Sequence, residues 1–287
     1  MLRELRVRTP VQPPVQVIAV TGGKGGTGKS SVAVNLATGL VQTGRRAMLL
    51  DGDLGLANVD VLLGLAPRCT LEHVLRGERT LQEVIVETGA GLRVVPGASG
   101  ITRMASLSNS EQAGLIQAFG ALSEPLDVLV VDTAAGISEN VLRFCQSAQQ
   151  VLVVLRDEPA SLTDTYALIK VLSRQHGVAE FRVLANMTRT AGQGESVFRR
   201  LQRVTDRYLT VSLDYVGEIP DDQAVARSIQ AQRSVVELYP GSPAAAAFRR
   251  LVSAASRWPL PAGPSGRLEF FFERLVTRPA PMLKVMK

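Results

Sequence analysis

The run Gly23-Lys24-Gly25-Gly26-Thr27-Gly28-Lys29-Ser30 follows directly on an apolar stretch, Val17-Ile18-Ala19-Val20. That succession limits what the chain can fold into more than any other feature. Glycines let a backbone curl tightly, so that successive N–H groups converge. A helix starting near Gly28 would add the positive end of its dipole at the same place. Strand, glycine-rich turn and helix in that order form a cradle for phosphate oxygens. Lys29 is spaced to reach β- and γ-phosphates, and the Ser30 hydroxyl to ligate Mg²⁺. Two glycines with four residues between them, then Lys and Ser, arise by chance in roughly one chain of this kind in a hundred. The helical spacing of Val32, Leu36 and Leu40 lowers that further. The expected cofactor-binding set in the loop is Gly23, Gly25, Gly26, Thr27, Gly28, Lys29, Ser30 and Ser31.

Apolar runs continue at 16–21, 46–51, 92–95, 127–132, 150–155, 181–186 and 214–219. Val128-Leu129-Val130-Val131 and Val151-Leu152-Val153-Val154-Leu155 contain no polar residue, as central parallel strands covered on both faces require. Helical patterns lie between, at about 29–43, 110–122, 161–175 and 193–208. The alternation predicts an α/β fold, a doubly wound and mostly parallel sheet with helices on both faces. Ligands then bind at the carboxyl ends of the strands. Asp51 and Asp53 end one apolar run and Asp132 ends another. Taken alone, each is also compatible with an ordinary turn.

Outside this loop Lys24 would be read as a solvated lysine. Inside it, the sequence resembles the KGGxGK[ST] pattern of the deviant Walker A ATPases of the MinD/ParA type. The resemblance runs from about residue 15 onward. It implies ATP and Mg²⁺ as cofactors and a homodimer formed on ATP binding, with Lys24 reaching the partner's phosphates as a cation delivered in trans. Residues 51–60 resemble the family's first switch segment. That likeness gives Asp53 the task of positioning the attacking water and Asp51 a supporting role toward Mg²⁺ or a lysine. Gly52 departs from the bulkier residue often found there. Asp127–Gly136 resembles Walker B and the second switch, with Asp132 on the metal side and Gly136 sensing the γ-phosphate. By the same likeness, Asn186 faces the adenine amino edge, and Pro220 and Asp221 border the base. Residues 157–164 resemble a loop near the dimer interface. No guanine-specific Asn-Lys-x-Asp run is present, which favours ATP over GTP.

Composition is that of an ordinary globular chain, 287 residues with 46% hydrophobic and 20% charged. No run approaches the length of a membrane span, and the N-terminus lacks the apolar core of a signal peptide. The expected location is cytoplasmic. Cys69 and Cys145 stand far apart with no CxxC neighbour, and His73 and His176 complete no metal-ligand spacing. That argues against an iron–sulfur carrier. A net charge of +6 leaves nucleic acid, an anionic membrane and an acidic partner all open.

The expected organisation is a tail over 1–14, the ATPase domain over 15–257, a Pro/Gly linker over 258–266 and a C-terminal amphipathic helix and tail over 267–287. In that helix Leu268, Phe271, Phe272, Leu275 and Val276 share one face. The face suits either a bilayer interface, with Arg267, Arg274 and Arg278 near anionic lipid, or docking on the domain's own core. The linker favours peripheral association with the inner membrane. Arg199, Arg203 and Arg207 line one helix face with Arg200 beside them, either a DNA-facing stripe or, more commonly, a solvated face.

Residues 53–64, 132–137, 184–187 and the 268–276 tail further resemble flagellar-number regulators of the FleN/FlhG type. That likeness implies restraint of a flagellar AAA+ transcription activator (FleQ-type) and work alongside the GTPase FlhF. Met1–Arg6 lacks the Asp-Gln-Ala-x-x-Leu-Arg element by which some members stimulate that GTPase. A division-site or DNA-segregating ATPase of the MinD or ParA kind would share every catalytic part.

Overall fold

The computed structural model describes residues 14–53, 55–97, 107–122, 124–260 and 268–276. The expected tail over 1–14 lies outside them except for Pro14, as do most of the linker and residues 277–287. The strands are β1 (Gln16–Thr21), β2 (Ala47–Gly52), β3 (Val86–Glu87), β4 (Arg93–Val95), β5 (Val128–Thr133), β6 (Gln150–Leu155), β7 (Glu180–Thr188) and β8 (Ser212–Pro220). They form one sheet in the order β3-β4-β2-β5-β1-β6-β7-β8. Every pairing is parallel except β3 with β4.

The helices are α1 (Lys29–Gln42), α2 (Val59–Leu62), α3 (Leu71–Leu75), α4 (Leu81–Val84), α5 (Asn109–Gly120), α6 (Glu139–Ser147), α7 (Pro159–His176), α8 (Gln193–Tyr208), α9 (Gln223–Gln230), α10 (Val235–Leu238), α11 (Pro243–Ala255) and α12 (Leu268–Val276). Local signals set several ends. Pro159 at the first turn and Gly177 at φ 68° bound α7, the residues that a helix start and a left-handed stop favour. Asp222 accepts from Ala224 N–H and also from Ala244 N–H, so one carboxylate serves the starts of both α9 and α11.

Alternation along the strands sorts side chains into two cores, because successive Cβ atoms leave opposite faces. Val17, Ala19, Leu129, Val131 and Val153 join the core that holds α5, α6, α7 and α12. Ile18, Val20, Val128, Val130, Leu152 and Val154 join the core under α1, α10 and α11. Helix α1 is buried almost all round rather than on one stripe, because α11 packs over its outer side. A Cβ on Gly39 would lie 2.7 Å from Val252 Cγ2.

Trp258, assigned to the linker by its Pro/Gly surroundings, is buried in the second core beneath the Arg182 guanidinium. Helix α12 carries Leu268, Phe271, Phe272, Leu275 and Val276 into the first core, against α5 and α6. Phe272 stacks on Phe119 with centroids 3.6 Å apart and meets Phe271 edge-on at 4.8 Å. The two helices also exchange C-terminal caps: Arg143 of α6 donates to Leu275 O at 3.2 Å, and Arg274 of α12 donates to Gln146 O. In this conformation the face takes the second of the two expected placements, docked on the domain's own core. The apolar stripe finds a groove on its own domain, completed by aromatic rings and arginine caps that a hydropathy pattern does not reveal. No helix among the described residues is long and apolar enough to cross a membrane.

Candidate nucleotide site

Because the main strands run parallel, the segments that leave their carboxyl ends meet on one edge of the sheet. The glycine-rich loop follows β1, Asp53 follows β2, Ala134–Gly136 follows β5, Arg156–Glu158 follows β6, and Asn186 and Pro220 lie near the ends of β7 and β8, opposite Ile219 and Thr188 respectively. Asp51 and Asp132 stand directly opposite each other in the β2–β5 register.

The loop's glycines have separate causes. Gly26 and Gly28 hold φ 76° and 84°, the left-handed region where a side chain is strained. Gly23 is packed so tightly that a Cβ would lie 2.2 Å from the carbonyl carbon of Asp164 in α7, whereas a Cβ on Gly25 would meet no protein atom within 4 Å. Gly25 and Gly26 are exposed, Thr27 is buried, and Ser30 and Ser31 are half-buried at the start of α1. Asn186 is buried and donates through Nδ2 to Thr27 O at 2.8 Å. One of its two amide N–H groups is thus used on the loop, and Oδ1 is the side-chain atom suited to accept from an exocyclic amine. Asp221 N donates to Thr188 O at 2.8 Å, tying the segment after β8 to β7.

Charge at the site is unbalanced. Lys29 is buried, and burial lowers its pKa, against the opposing pull of Asp132 and Asp53. Asp132 is pushed up to about 8, first by burial and then by Asp51 and Asp53, while the Ser30 hydroxyl and Lys29 act the other way. Its Oδ1 is buried with no hydrogen-bond partner among the described residues. An orphaned acceptor of that kind calls for a missing cation or donor. The donor set, a Ser30 hydroxyl bonded to a buried carboxylate, suits a hard cation that keeps most of its own waters, as Mg²⁺ does.

Asp51 was expected beside Mg²⁺ or a lysine. Its oxygens are instead taken by backbone amides: Asp53 N at 3.0 Å, Asn58 N at 3.0 Å and Val59 N at 3.1 Å. Burial is the first cause that lifts its pKa to about 6, against those three bonds. Asp53 bends its own carboxylate back to Gly55 N at 3.3 Å and Leu56 N at 3.0 Å. The segment after β5 is tied to the loop by Gly136 N donating to Gly22 O at 3.0 Å, with Gly136 at φ 91°.

Lys24 is half-exposed at the rim and pairs with Glu158 at 3.5 Å. Glu158 also pairs with Arg156 at 3.2 Å, and Arg156 donates to Gly26 O at 3.4 Å. Glu158 lies in the 157–164 stretch read as near a dimer interface, but its pairing with Lys24 was not foreseen, and Arg156 does not stand out in the sequence beyond its place at a strand's carboxyl end. Met187 was missed too. It holds φ 57° at a register shift in β7–β8, and its Cε lies 3.2 Å from where a Gly28 Cβ would be. Of the arginine stripe on α8, Arg199 pairs with Glu195 and Arg200 with Asp157, and Arg207 lies over the Tyr208 ring. Those contacts favour the solvated-face alternative over a DNA stripe.

The family profile for ParA, described as an NUBPL iron-transfer P-loop NTPase, matches residues 14–256. The chain belongs to the ParA/MinD family of P-loop NTPases. It is 57% identical over 267 residues to a Pseudomonas aeruginosa protein named antiactivator FleN, covering 93% of this chain and 95% of that one. It is 35% identical over 225 residues to the flagellum site-determining protein YlxH of Helicobacter pylori, covering 78% and 76%. Among solved structures it is similar to the septum site-determining protein MinD of Pyrococcus horikoshii in complex with Mg-ADP, with TM-score 0.67, 25% identity and coverage of 85% and 96%. As a ParA/MinD-type P-loop NTPase the chain is an ATPase that uses ATP and Mg²⁺. Among its described residues no group of three or more His, Cys, Asp and Glu could hold a metal ion, and Cys145 is buried within α6.

Proposed function

We propose that this ATPase is a dimerising switch that limits flagellar number by restraining a flagellar AAA+ transcription activator of the FleQ type. The observation that carries the reading is the likeness to antiactivator FleN along 93% of the chain. The flagellar name of YlxH points the same way. The GTPase FlhF is a further proposed partner. Lys24, Lys29 and Asp53 are the proposed catalytic groups. Lys29 would neutralise the β- and γ-phosphates, and loop amides from Gly25 to Ser31 would hold their oxygens. Ser30 and Asp132 would hold Mg²⁺, with Asp51 acting on them through the segment it anchors. Bound there, the cation supplies Lewis-acid neutralisation of phosphate charge. Asn186, Pro220 and Asp221 would border adenine.

Asp53 must leave its bonds to Gly55 and Leu56 before it can orient a water. Lys24 must likewise leave Glu158 before it can serve a second copy. Leu56 at 74% and Ile137 at 52% exposure leave apolar side chains on both switch segments, which supports a face that closes on another copy. The buried stripe of α12 adds a proposed second output, in which release of the helix gives the dimer a peripheral membrane contact. A division-site role is the second reading. It rests on MinD relatives such as that of Synechocystis, 29% identical over 216 residues.

The test is molecular mass in MgADP and in MgATP with Asp53→Ala, followed by capture of the purified activator. A monomer in ADP, a dimer in ATP, and activator binding in one state are expected. An unchanged mass with bound nucleotide would remove the dimer mechanism. Normal flagellar number with disturbed septation on deletion would transfer the chain to the second reading.

A further inference from the structure

The turn after β6 joins three parts of the molecule within three residues. Arg156 touches the loop at Gly26 O and pairs with Glu158. Asp157 accepts from Gln193 at 2.8 Å and pairs with Arg200, both on α8. Glu158 opens α7 and pairs with Lys24. The turn is held in shape by Glu158 N donating to Arg156 O at 2.8 Å, and by Arg156 N donating to Ser161 Oγ at 3.1 Å. Glu158 therefore lies between two cations, one to each carboxylate oxygen: Oε2 toward Lys24 and Oε1 toward Arg156.

That arrangement matters when Lys24 departs. A lone carboxylate left at the rim would draw Lys24 back and would repel any phosphate brought near it. Arg156 prevents both, because its guanidinium stays permanently charged and its fork reaches Glu158 and Gly26 O together. We propose that Arg156 is a positioning residue: it retains and neutralises Glu158 so that Lys24 can be handed to the phosphates of a second copy. The inference rests on the reading of Lys24 as a group that acts in trans. Arg156 itself touches no phosphate in this scheme.

The test uses the full chain and four proteins: wild type, Arg156→Gln, Glu158→Gln and the double variant. Dimerisation is followed by mass as MgATP is raised, and monomer affinity by fluorescent MgADP. Arg156→Gln should raise the MgATP needed for half-dimerisation on the order of fivefold, the size of one partly exposed ion pair. Its MgADP affinity should stay within about twofold of wild type. Adding Glu158→Gln should return dimerisation to wild-type level, since the competing charge is gone. A purely structural role at Gly26 would not be rescued by that second change. Wild-type dimerisation in Arg156→Gln, a defect that Glu158→Gln fails to relieve, or a loss of MgADP affinity would each overturn the proposal. Failure of the trans reading has a different signature: wild type itself stays monomeric in MgATP, and both inferences fall.

Discussion

Phe119→Ala separates the docked state of α12 from its lipid affinity, because it alters the groove and leaves the tail's own residues intact. Phe119 is 1% exposed and stacks on Phe272. Truncating such a ring costs about 3–5 kcal/mol in all. Part of that falls on α5 and the core beneath it, and part on the stack with α12. An aromatic pair adds about 0.5–1.5 kcal/mol beyond its buried area. A share of about 1 kcal/mol for the tail, the middle of that range, raises the undocked population roughly fivefold. Hydrogen exchange over 268–276 should accelerate by that factor, and cosedimentation with phosphatidylglycerol vesicles should increase. Faster exchange without added vesicle binding would show that the freed stripe is not a lipid anchor. Unchanged exchange would refute the claim that the stack holds the helix down. Phe271→Glu is the less decisive variant, since Phe271 is itself buried and its replacement would undock the helix and spoil its apolar face at once.

Gly23→Ala places a Cβ against the backbone of Asp164 and Thr165, so it should cost about 1–3 kcal/mol, read as a drop in Tm of roughly 2–12 °C. Gly25→Ala, with open space at the same atom, should leave Tm nearly unchanged while weakening nucleotide binding; equal Tm losses would defeat the distinction. Asp132 has a folded pKa of about 8, above its unfolded value near 4, so the folded state binds that proton more tightly. Its contribution is fully present below about pH 4 and is lost as pH rises toward 8. Nucleotide-free protein should lose Tm over that window more steeply than Asp132→Asn does, and parallel pH profiles would contradict the assignment. Asp53→Ala should keep ATP bound while slowing turnover by about 10²–10⁴, checked by steady-state phosphate release; turnover within a few-fold of wild type would remove Asp53 from the chemistry.

The parallel sheet was legible because its central strands are buried on both faces and therefore read as unbroken apolar runs. β1 and β6 fall at 16–21 and 150–155, where the sequence places them. The two-residue β3 and the single-turn helices α2, α4 and α10 escaped, since four residues or fewer carry no periodicity. The five-residue α3, the nine-residue α6, the eight-residue α9 and the thirteen-residue α11 were missed as well. In the site, the glycine-rich loop announced itself by spacing, because phosphate geometry imposes a fixed pattern on contiguous residues. Arg156 and the pairing of Glu158 with Lys24 did not, since ion pairs between a loop after β1 and a turn after β6 depend on strand order, and strand order leaves no mark in either segment.

Turnover speed follows from where the two proposed catalytic groups now rest. Asp53 accepts from Gly55 and Leu56, and Lys24 is held by Glu158. Each contact is individually weak, a surface ion pair or a pair of exposed hydrogen bonds worth on the order of 1 kcal/mol. Together they are worth only a few kcal/mol, which a second copy's phosphates can outweigh and an isolated chain cannot. A site assembled that way stays slow in the monomer without any group being misplaced by more than a side-chain rotation. Its rate should therefore climb with protein concentration, whereas a site complete in one chain would give a constant turnover per molecule.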